Sequence, residues 1–254
     1  MNTGAEGIIA RISFVDIYLR IIACYRLYAL LKKNMANSVF FYSSSIGQKI
    51  VSAITGLFLC AFLVVHLSGN LLLFKNDGGR AFDEYATANA SNWLVRSLEV
   101  VLFIGFLIHI IWGIRIWFFN RRARPQKYIM KRPSENSSLF SRVMLFSGSV
   151  VFFFLIVHLK SFWAPMRFSS GDEVSLSHIV KTAFQNPWYD GFYLLALALL
   201  AYHLRQGFQS AFQTFGLRPG WRKTIDWIAA IFWLLIPIGF ASMPIYFFWT
   251  KGVQ

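Results

Sequence analysis

The stretches TGLFLCAFLVVH, residues 55–66, and SGSVVFFFLIVH, residues 147–158, follow one pattern: a hydroxyl residue, a glycine, nine further residues and a histidine. Each lies in an apolar run long enough to cross a bilayer as a helix, which needs about 20 residues. Eleven residues make close to three helical turns, so Thr55 and Ser147 share a helix face with their histidines. The two stretches predict two related transmembrane helices, each with an intramembrane histidine.

The rest of the chain continues this apolar pattern. The whole chain is 56% hydrophobic and 14% charged, whereas about 25% of the residues in soluble domains are charged. The sequence therefore predicts an all-α integral membrane protein with five transmembrane helices in a bundle. The predicted spans are roughly Ile50–Phe74, Ser97–Phe119, Val143–Trp163, Pro187–Phe212 and Trp227–Thr250. Pro237 and Pro244 are expected to kink the last span.

Basic residues set the orientation. Most Lys and Arg residues lie in the N-terminal arm and in the second and fourth connections, where the run RRARPQKYIMKR, residues 121–132, is the densest. Basic residues gather on the cytoplasmic side of membrane proteins. We therefore expect a multi-pass protein of the cytoplasmic (inner) membrane, with its N-terminus cytoplasmic and its C-terminus outside. The same rule explains the net charge of +14, so we expect no nucleic acid among the partners.

Two domains are predicted. Residues 1–46 form an N-terminal arm whose mixed apolar and charged segment is interpreted as an amphipathic helix on the membrane surface or on a partner. The alternative is a mis-assigned start, with the true initiator at Met35. Residues 47–254 form the five-helix membrane domain.

The first four spans carry one histidine each, His66, His109, His158 and His203. Ionisable groups inside a bilayer are costly and usually functional. No intramembrane cysteine pair or carboxylate cluster accompanies the histidines, so a metal held only by imidazoles is favoured, and heme iron with two axial imidazoles fits. Alternating span directions place His66 and His158 in the outer leaflet, and His109 and His203 in the inner. This pairing predicts two heme groups at two depths.

Glycines support the same interpretation. Gly113 and Gly207 follow His109 and His203 by four residues, on the same helix face. Such glycines leave room beside a histidine for a flat macrocycle or a neighbouring helix. The alternative is ordinary packing of small residues between membrane helices. The same two interpretations apply to the glycines of the opening stretches, Gly56 and Gly148.

These residues resemble a known family. The segment ITGLFL, residues 54–59, followed by His66 and by Ser68, Gly69 and Asn70, is similar to the first heme-binding helix of diheme succinate:quinone oxidoreductase and quinol:fumarate reductase anchors. The resemblance covers about Gly47 to Tyr246. It implies five helices, two heme b groups and one axial ligand from each of four helices. The outer and inner histidine pairs coincide with the family's distal and proximal hemes.

The resemblance also implies a function, that of the membrane-anchor cytochrome b subunit of succinate dehydrogenase, complex II of the tricarboxylic acid cycle. Flavoprotein and iron–sulfur subunits would bind on the cytoplasmic face, where the basic connections could dock them. Electrons would pass through both hemes to quinone, with menaquinone as the common acceptor. Membrane lipid is the remaining partner, and a higher oligomer of the complex stays open.

Three acidic residues are candidates for a quinone site. The family has an acidic residue near the connection of its first two helices, and Asp83 and Glu84 are the nearest here. Their alternative is a pair of solvated loop acids. Glu99 is the third candidate, with an ion pair to Arg96 at i−3 as its alternative. Fumarate-reducing members carry a glutamate where this chain has Ala201, which favours succinate oxidation.

Other functions stay open at this point. Cytochrome b anchors of fumarate reductase, nitrate reductase, hydrogenase or formate dehydrogenase also hold two hemes. A transporter or proton channel with a histidine relay is a different class, and it predicts intramembrane carboxylates and broken helices in matched halves. The spans contain few acids, which disfavours that class.

Overall fold

A computed structural model describes residues 44–122, 143–168, 175–217 and 222–250, together with a few residues between 22 and 30. All regular structure in these residues is helical. Close contacts divide the chain into two compact units, Met1–Gln48 and Lys49–Gln254. Most of the predicted N-terminal arm lies outside the described residues, so its amphipathic helix stays a prediction.

The first half of the larger unit contains two long helices. Helix α1 is Ser45–Asn70 and continues into a 3-10 turn, Leu71–Phe74. A short helix α2, Arg80–Ser91, follows a turn in which Gly78 and Gly79 have positive φ angles of 74° and 101°. Helix α3 is Trp93–Arg122. Helix α1 with its 3-10 turn contains the first predicted span and begins earlier, and α3 contains the second and extends beyond it at both ends.

The second half repeats this arrangement. Helix α4, Met144–His158, continues through a π-helical turn, Leu159–Trp163, into helix α5, Ala164–Phe168. A short helix α6, Leu176–Phe184, precedes the long helix α7, Pro187–Thr214. Asn186 caps α7, because its side chain accepts hydrogen bonds from the backbone of Trp188 and Tyr189.

The last span is interrupted. Helix α8, Arg222–Ala230, passes through a π-helical turn, Ile231–Leu235, into helix α9, Ile236–Thr250. The turn ends two residues before Pro237, and the turn after α4 likewise ends two residues before Pro165. Proline cannot donate its helical hydrogen bond, and a wider turn before it relieves the mismatch. Pro244 lies inside α9.

Four helical segments of the described chain are long and apolar enough to cross a membrane, which indicates a membrane protein. They are Ser45–Phe74, Trp93–Arg122, Met144–Phe168 and Lys223–Thr250. Helix α7 has 28 residues but a more polar second half, with Arg205 and Gln206. Among the described helices it makes the most extensive contacts, with α4 and α9, so parts of its surface are covered by protein. Five spans stay a prediction.

Candidate functional site

The four intramembrane histidines lie in two pairs. The rings of His66 on α1 and His158 on α4 have centroids 5.7 Å apart and perpendicular planes. The rings of His109 on α3 and His203 on α7 have centroids 6.3 Å apart, with planes at 79°. These are the partners that the sequence pairs. The remaining histidine, His178, is exposed on α6.

Helix α1 supports the ring of His109. The hydroxyl of Thr55 lies 3.3 Å from His109 Nδ1 and donates to the carbonyls of Val51 and Ser52. A Cβ atom on Gly56 would lie 3.1 Å from His109 Cε1. The glycine therefore allows the imidazole to approach the α1 backbone, and the adjacent hydroxyl faces its inner nitrogen.

Helix α4 supports the ring of His203 in the same way. The hydroxyl of Ser147 lies 3.5 Å from His203 Nδ1 and donates to the carbonyl of Met144 at 3.0 Å. A Cβ atom on Gly148 would lie 3.2 Å from His203 Cε1. The two opening stretches thus serve the histidines of the following long helices. The sequence placed both motifs correctly on an interior face but did not identify these contacts.

The His66–His158 pair is supported by different groups. The amide nitrogen of Asn70 lies 3.4 Å from His66 Nδ1 and donates to the His66 carbonyl at 2.7 Å. His158 Nδ1 lies 2.6 Å from the hydroxyl of Tyr193 on α7. Aromatic rings surround this pair. They are Phe62 and Phe240 beside His66, and Phe154 and Phe162 beside His158.

Nδ1 of His109, His158 and His203 lies beside a hydroxyl oxygen that can accept its proton, whereas Nδ1 of His66 lies beside the Asn70 amide nitrogen, which is itself a donor. Within the described ranges, no hydrogen bond involves the Nε2 atom of any of them. A metal-binding histidine commonly hydrogen-bonds through its other ring nitrogen, which fixes the ring orientation and tautomer. Three of the four imidazoles can thus carry their proton on Nδ1 and offer Nε2 to a ligand, whereas a ligand on Nε2 of His66 would require a different partner for Nδ1.

The donor set limits the group that these pairs could hold. No cluster of three or more His, Cys, Asp or Glu residues able to hold a metal occurs among the described residues. Iron in a porphyrin needs only one or two axial ligands from the protein, and each pair offers two imidazoles. Imidazole nitrogens bind metals at about 2 Å, so one ion between two rings needs centroids roughly 6 Å apart. The two centroid separations, 5.7 and 6.3 Å, are close to this value.

Helix α1 also sets the spacing between the pairs. Thr55 contacts one pair and His66, eleven residues later, belongs to the other. At 1.5 Å per residue, the two pairs are about 16 Å apart along α1. Helix α4 repeats this spacing between Ser147 and His158. The chain therefore holds two separate sites at different heights.

Open space borders the helices that carry these sites. No atom lies within 4 Å of a Cβ built on Gly113, and only the Met144 methyl reaches that range at Gly207. Helices α1 and α3 approach α4 and α7 less closely than α7 approaches α4. An apolar cavity of about 350 Å³ lies between α1, α7 and the π-helical turn before α9, lined by Leu57, Cys60, Ala61, Val64, Val65, Phe208 and Phe232. The bundle is looser on the α1 and α3 side.

Two of the acidic quinone-site candidates have structural contacts. Asp83 accepts hydrogen bonds from the backbone and hydroxyl of Ser177 and from the hydroxyl of Ser175, so it joins α2 to the start of α6. Glu84 forms an ion pair with Arg80 at 3.1 Å, and their side chains are 67% and 81% exposed. Asp83 thus has a structural role, and Glu84 is a solvated acid.

Glu99 forms a partly buried ion pair with Arg167 of α5 rather than with Arg96. It also accepts a hydrogen bond from the indole nitrogen of Trp163, and Arg167 donates to the carbonyl of Ala90 at 3.0 Å. The expected partner was wrong because helical spacing identifies neighbours on one helix only. The cluster joins α2 and α3 to the segment after His158.

Sequence reasoning did not identify Tyr193 or Arg167 as partners of predicted site residues. Both lie far from those residues in the chain, and no spacing rule connects them. Asn70 was named only as part of the segment that resembles the anchor family, although a residue four positions after His66 lies on the same helix face as His66. Comparisons with known protein families, with curated proteins and with solved structures find no match for this chain.

Proposed function

We propose that this chain is the membrane-anchor cytochrome b subunit of a succinate dehydrogenase and binds two heme b groups. The observation that carries the proposal is the two pairs of neighbouring imidazoles, with a hydroxyl oxygen beside Nδ1 in three of the four rings. A histidine relay needs no such matched pairs. The assignment to succinate dehydrogenase rests on the resemblance of the first span.

The proposal includes five spans with a cytoplasmic N-terminus, in the cytoplasmic membrane. Tryptophan is enriched at membrane interfaces. Trp93, Trp188 and Trp249 are highly exposed and lie at the start of α3, the start of α7 and the end of α9. In a five-span arrangement these three ends meet at the outer interface. This supports α7 as a membrane span, the fourth along the chain, despite its polar second half.

Bound heme supplies one-electron transfer, which would connect an iron–sulfur partner on the cytoplasmic face to quinone, with menaquinone expected. The chain's own residues hold the imidazoles and exclude water with aromatic side chains around His66 and His158. Arginines over aromatic rings, including Arg122 over Phe118, mark the end of α3 that faces the proposed cytoplasmic side. The densest basic segment lies outside the described residues.

The quinone site is the least supported part of the proposal. Asp83 and Glu99 already have protein partners, so a quinone role for either would require those contacts to be shared or exchanged. Glu84 has only an exposed partner. Ala201 supports succinate oxidation as the physiological direction.

The deciding experiment is a pyridine hemochrome assay on the purified complex, quantified per copy of this chain. We expect two b hemes in the wild type and one in each of the variants His66→Ala and His109→Ala, because each variant removes one axial ligand. His178→Ala is the matched control and should retain both hemes. A well-folded preparation without heme would refute the proposal and favour a histidine-relay transporter.

A second measurement tests the choice of complex. The tagged chain, purified from its native membrane, should bring a flavoprotein and an iron–sulfur subunit with it and show succinate:quinone reductase activity. Two hemes with a nickel or molybdenum enzyme as the partner would instead assign the chain to a hydrogenase, nitrate reductase or formate dehydrogenase.

A further inference from the structure

One histidine has a contact that the other three lack. His158 Nδ1 lies 2.6 Å from the Tyr193 hydroxyl, whereas Nδ1 of the other three lies 3.3 to 3.5 Å from aliphatic hydroxyl or amide groups. Tyr193 belongs to α7, which supplies no ligand to the His66–His158 pair. A short contact from a separate helix is a specific support rather than a consequence of helix geometry.

Tyr193 is firmly placed. It is buried, and its ring packs edge-on against Phe154 at 4.7 Å and Phe184 at 5.0 Å between centroids. The ring centroid of its neighbour Tyr189 lies 5.2 Å away, and the Tyr189 hydroxyl is buried with no hydrogen-bond partner in the described part of the chain. Aromatic packing therefore fixes the position of the phenol, and a second buried hydroxyl belongs to its immediate neighbour.

We propose that Tyr193 is a positioning residue that orients His158 and lowers the midpoint potential of the heme held by the His66–His158 pair. This inference rests on the proposed function. When Nε2 binds a metal, Nδ1 carries the proton and donates to the Tyr193 oxygen, and the Tyr193 proton is free to point toward Tyr189.

The Nδ1–H group of His158 determines whether the midpoint potential of the heme rises or falls. An Nδ1–H group that donates to a well-placed oxygen makes the imidazole a more basic ligand. A more basic ligand stabilises ferric iron more than ferrous iron, because the ferric ion carries more charge. Hydrogen bonding to the axial ligand is one of the means by which proteins adjust heme potentials. Loss of the phenol should therefore raise the potential of one heme.

The test is a redox titration of the purified complex carrying Tyr193→Phe, followed by optical and electron paramagnetic resonance spectra. Loss of such a hydrogen bond costs about tenfold or more in metal affinity. A tenfold loss of affinity that is confined to the ferric form raises the one-electron midpoint potential by about 59 mV. We expect an upward shift of this size or larger in one heme, with a changed ferric spectrum, and no shift in the other.

Two further variants complete the test. Tyr189→Phe retains the bond to His158 but removes a hydroxyl behind it, so a smaller upward shift is expected. Tyr246→Phe, on α9 and packed against Phe74, is the matched control and should change neither heme. Tyr189→Phe also provides a result if Tyr193→Phe does not assemble.

The outcomes separate this inference from the proposed function. Two hemes with unchanged potentials and spectra in Tyr193→Phe would overturn the inference and leave the proposed function standing. A wild-type preparation without heme would overturn both. A shift in both hemes would show general loosening of the bundle and would also overturn the inference.

Discussion

The two histidine pairs are built from the same ligand but supported differently. His109 and His203 each face a hydroxyl and a glycine from the preceding long helix, in nearly identical geometry. His66 and His158 face an amide on the same helix and a phenol on another. One pair thus depends on backbone approach, and the other on individual side chains and aromatic packing. Substitutions should therefore affect the two sites selectively.

The largest selective effect is expected from Gly56→Val. The new Cβ would lie 3.1 Å from His109 Cε1, and the two methyl groups of valine would displace the imidazole from α1. We expect loss of one heme of two, measured by pyridine hemochrome, with the His66–His158 site retained. Gly191→Val, at a glycine with no neighbour within 4 Å, is the control. Two hemes in Gly56→Val would show that the close approach is not required.

Glu99→Ala should weaken the other site. The change removes the acceptor of Arg167 and of the Trp163 indole. In the wild type, the side chains of Arg167 and Glu99 are 14% and 20% exposed. Because the pair is only partly buried, the expected cost lies between about 1 kcal/mol for an exposed pair and about 3 kcal/mol for a buried one. Thermal unfolding followed by heme absorbance should show earlier release from the His66–His158 site. Arg96→Ala should have no effect, and equal effects of both variants would contradict the structural pairing.

Thr55→Val and Ser147→Ala test whether the His109–His203 pair has equivalent supports. Each variant removes one hydroxyl near an Nδ1 atom, so heme affinity at that pair should fall about tenfold in either case. Competition with a heme-binding apoprotein measures the change. Ser149→Ala, which removes a hydroxyl bonded only to the Leu145 carbonyl, is the control. Clearly unequal losses would mean that only one hydroxyl supports its histidine.

The smallest effect is expected from Glu84→Ala. Its ion pair with Arg80 is largely exposed, and such pairs contribute little. Stability, heme content and quinone reductase activity should all match the wild type. A loss of activity alone, with both hemes present, would restore Glu84 as the acidic residue of a quinone site.

The sequence was sufficient for features that depend on local periodicity. Apolar runs located four helical segments that are long enough to cross a membrane, and the histidine rings lie in the pairs that alternating span directions predict, His66 with His158 and His109 with His203. Contacts between helices were not predictable, because spacing relates only residues on one helix. The ion pair of Glu99 with Arg167 instead of Arg96 and the contact of Tyr193 with His158 are both contacts between helices. Helix α7 shows a further limit, since a helix partly covered by protein need not be apolar throughout.

The repetition of the hydroxyl–glycine stretch in α1 and α4 has a consequence for symmetry. Helices α1 and α3 form one half, and α4 and α7 form the other. Each histidine lies next to the equivalent histidine of the other half, as equivalent residues do at a twofold axis. For two parallel repeats this axis runs along the membrane normal and passes between the rings of both pairs. A planar group on the axis would have like surroundings on its two faces at His109 and His203. At His66 and His158, Asn70 and Tyr193 break the equivalence, so the two faces differ.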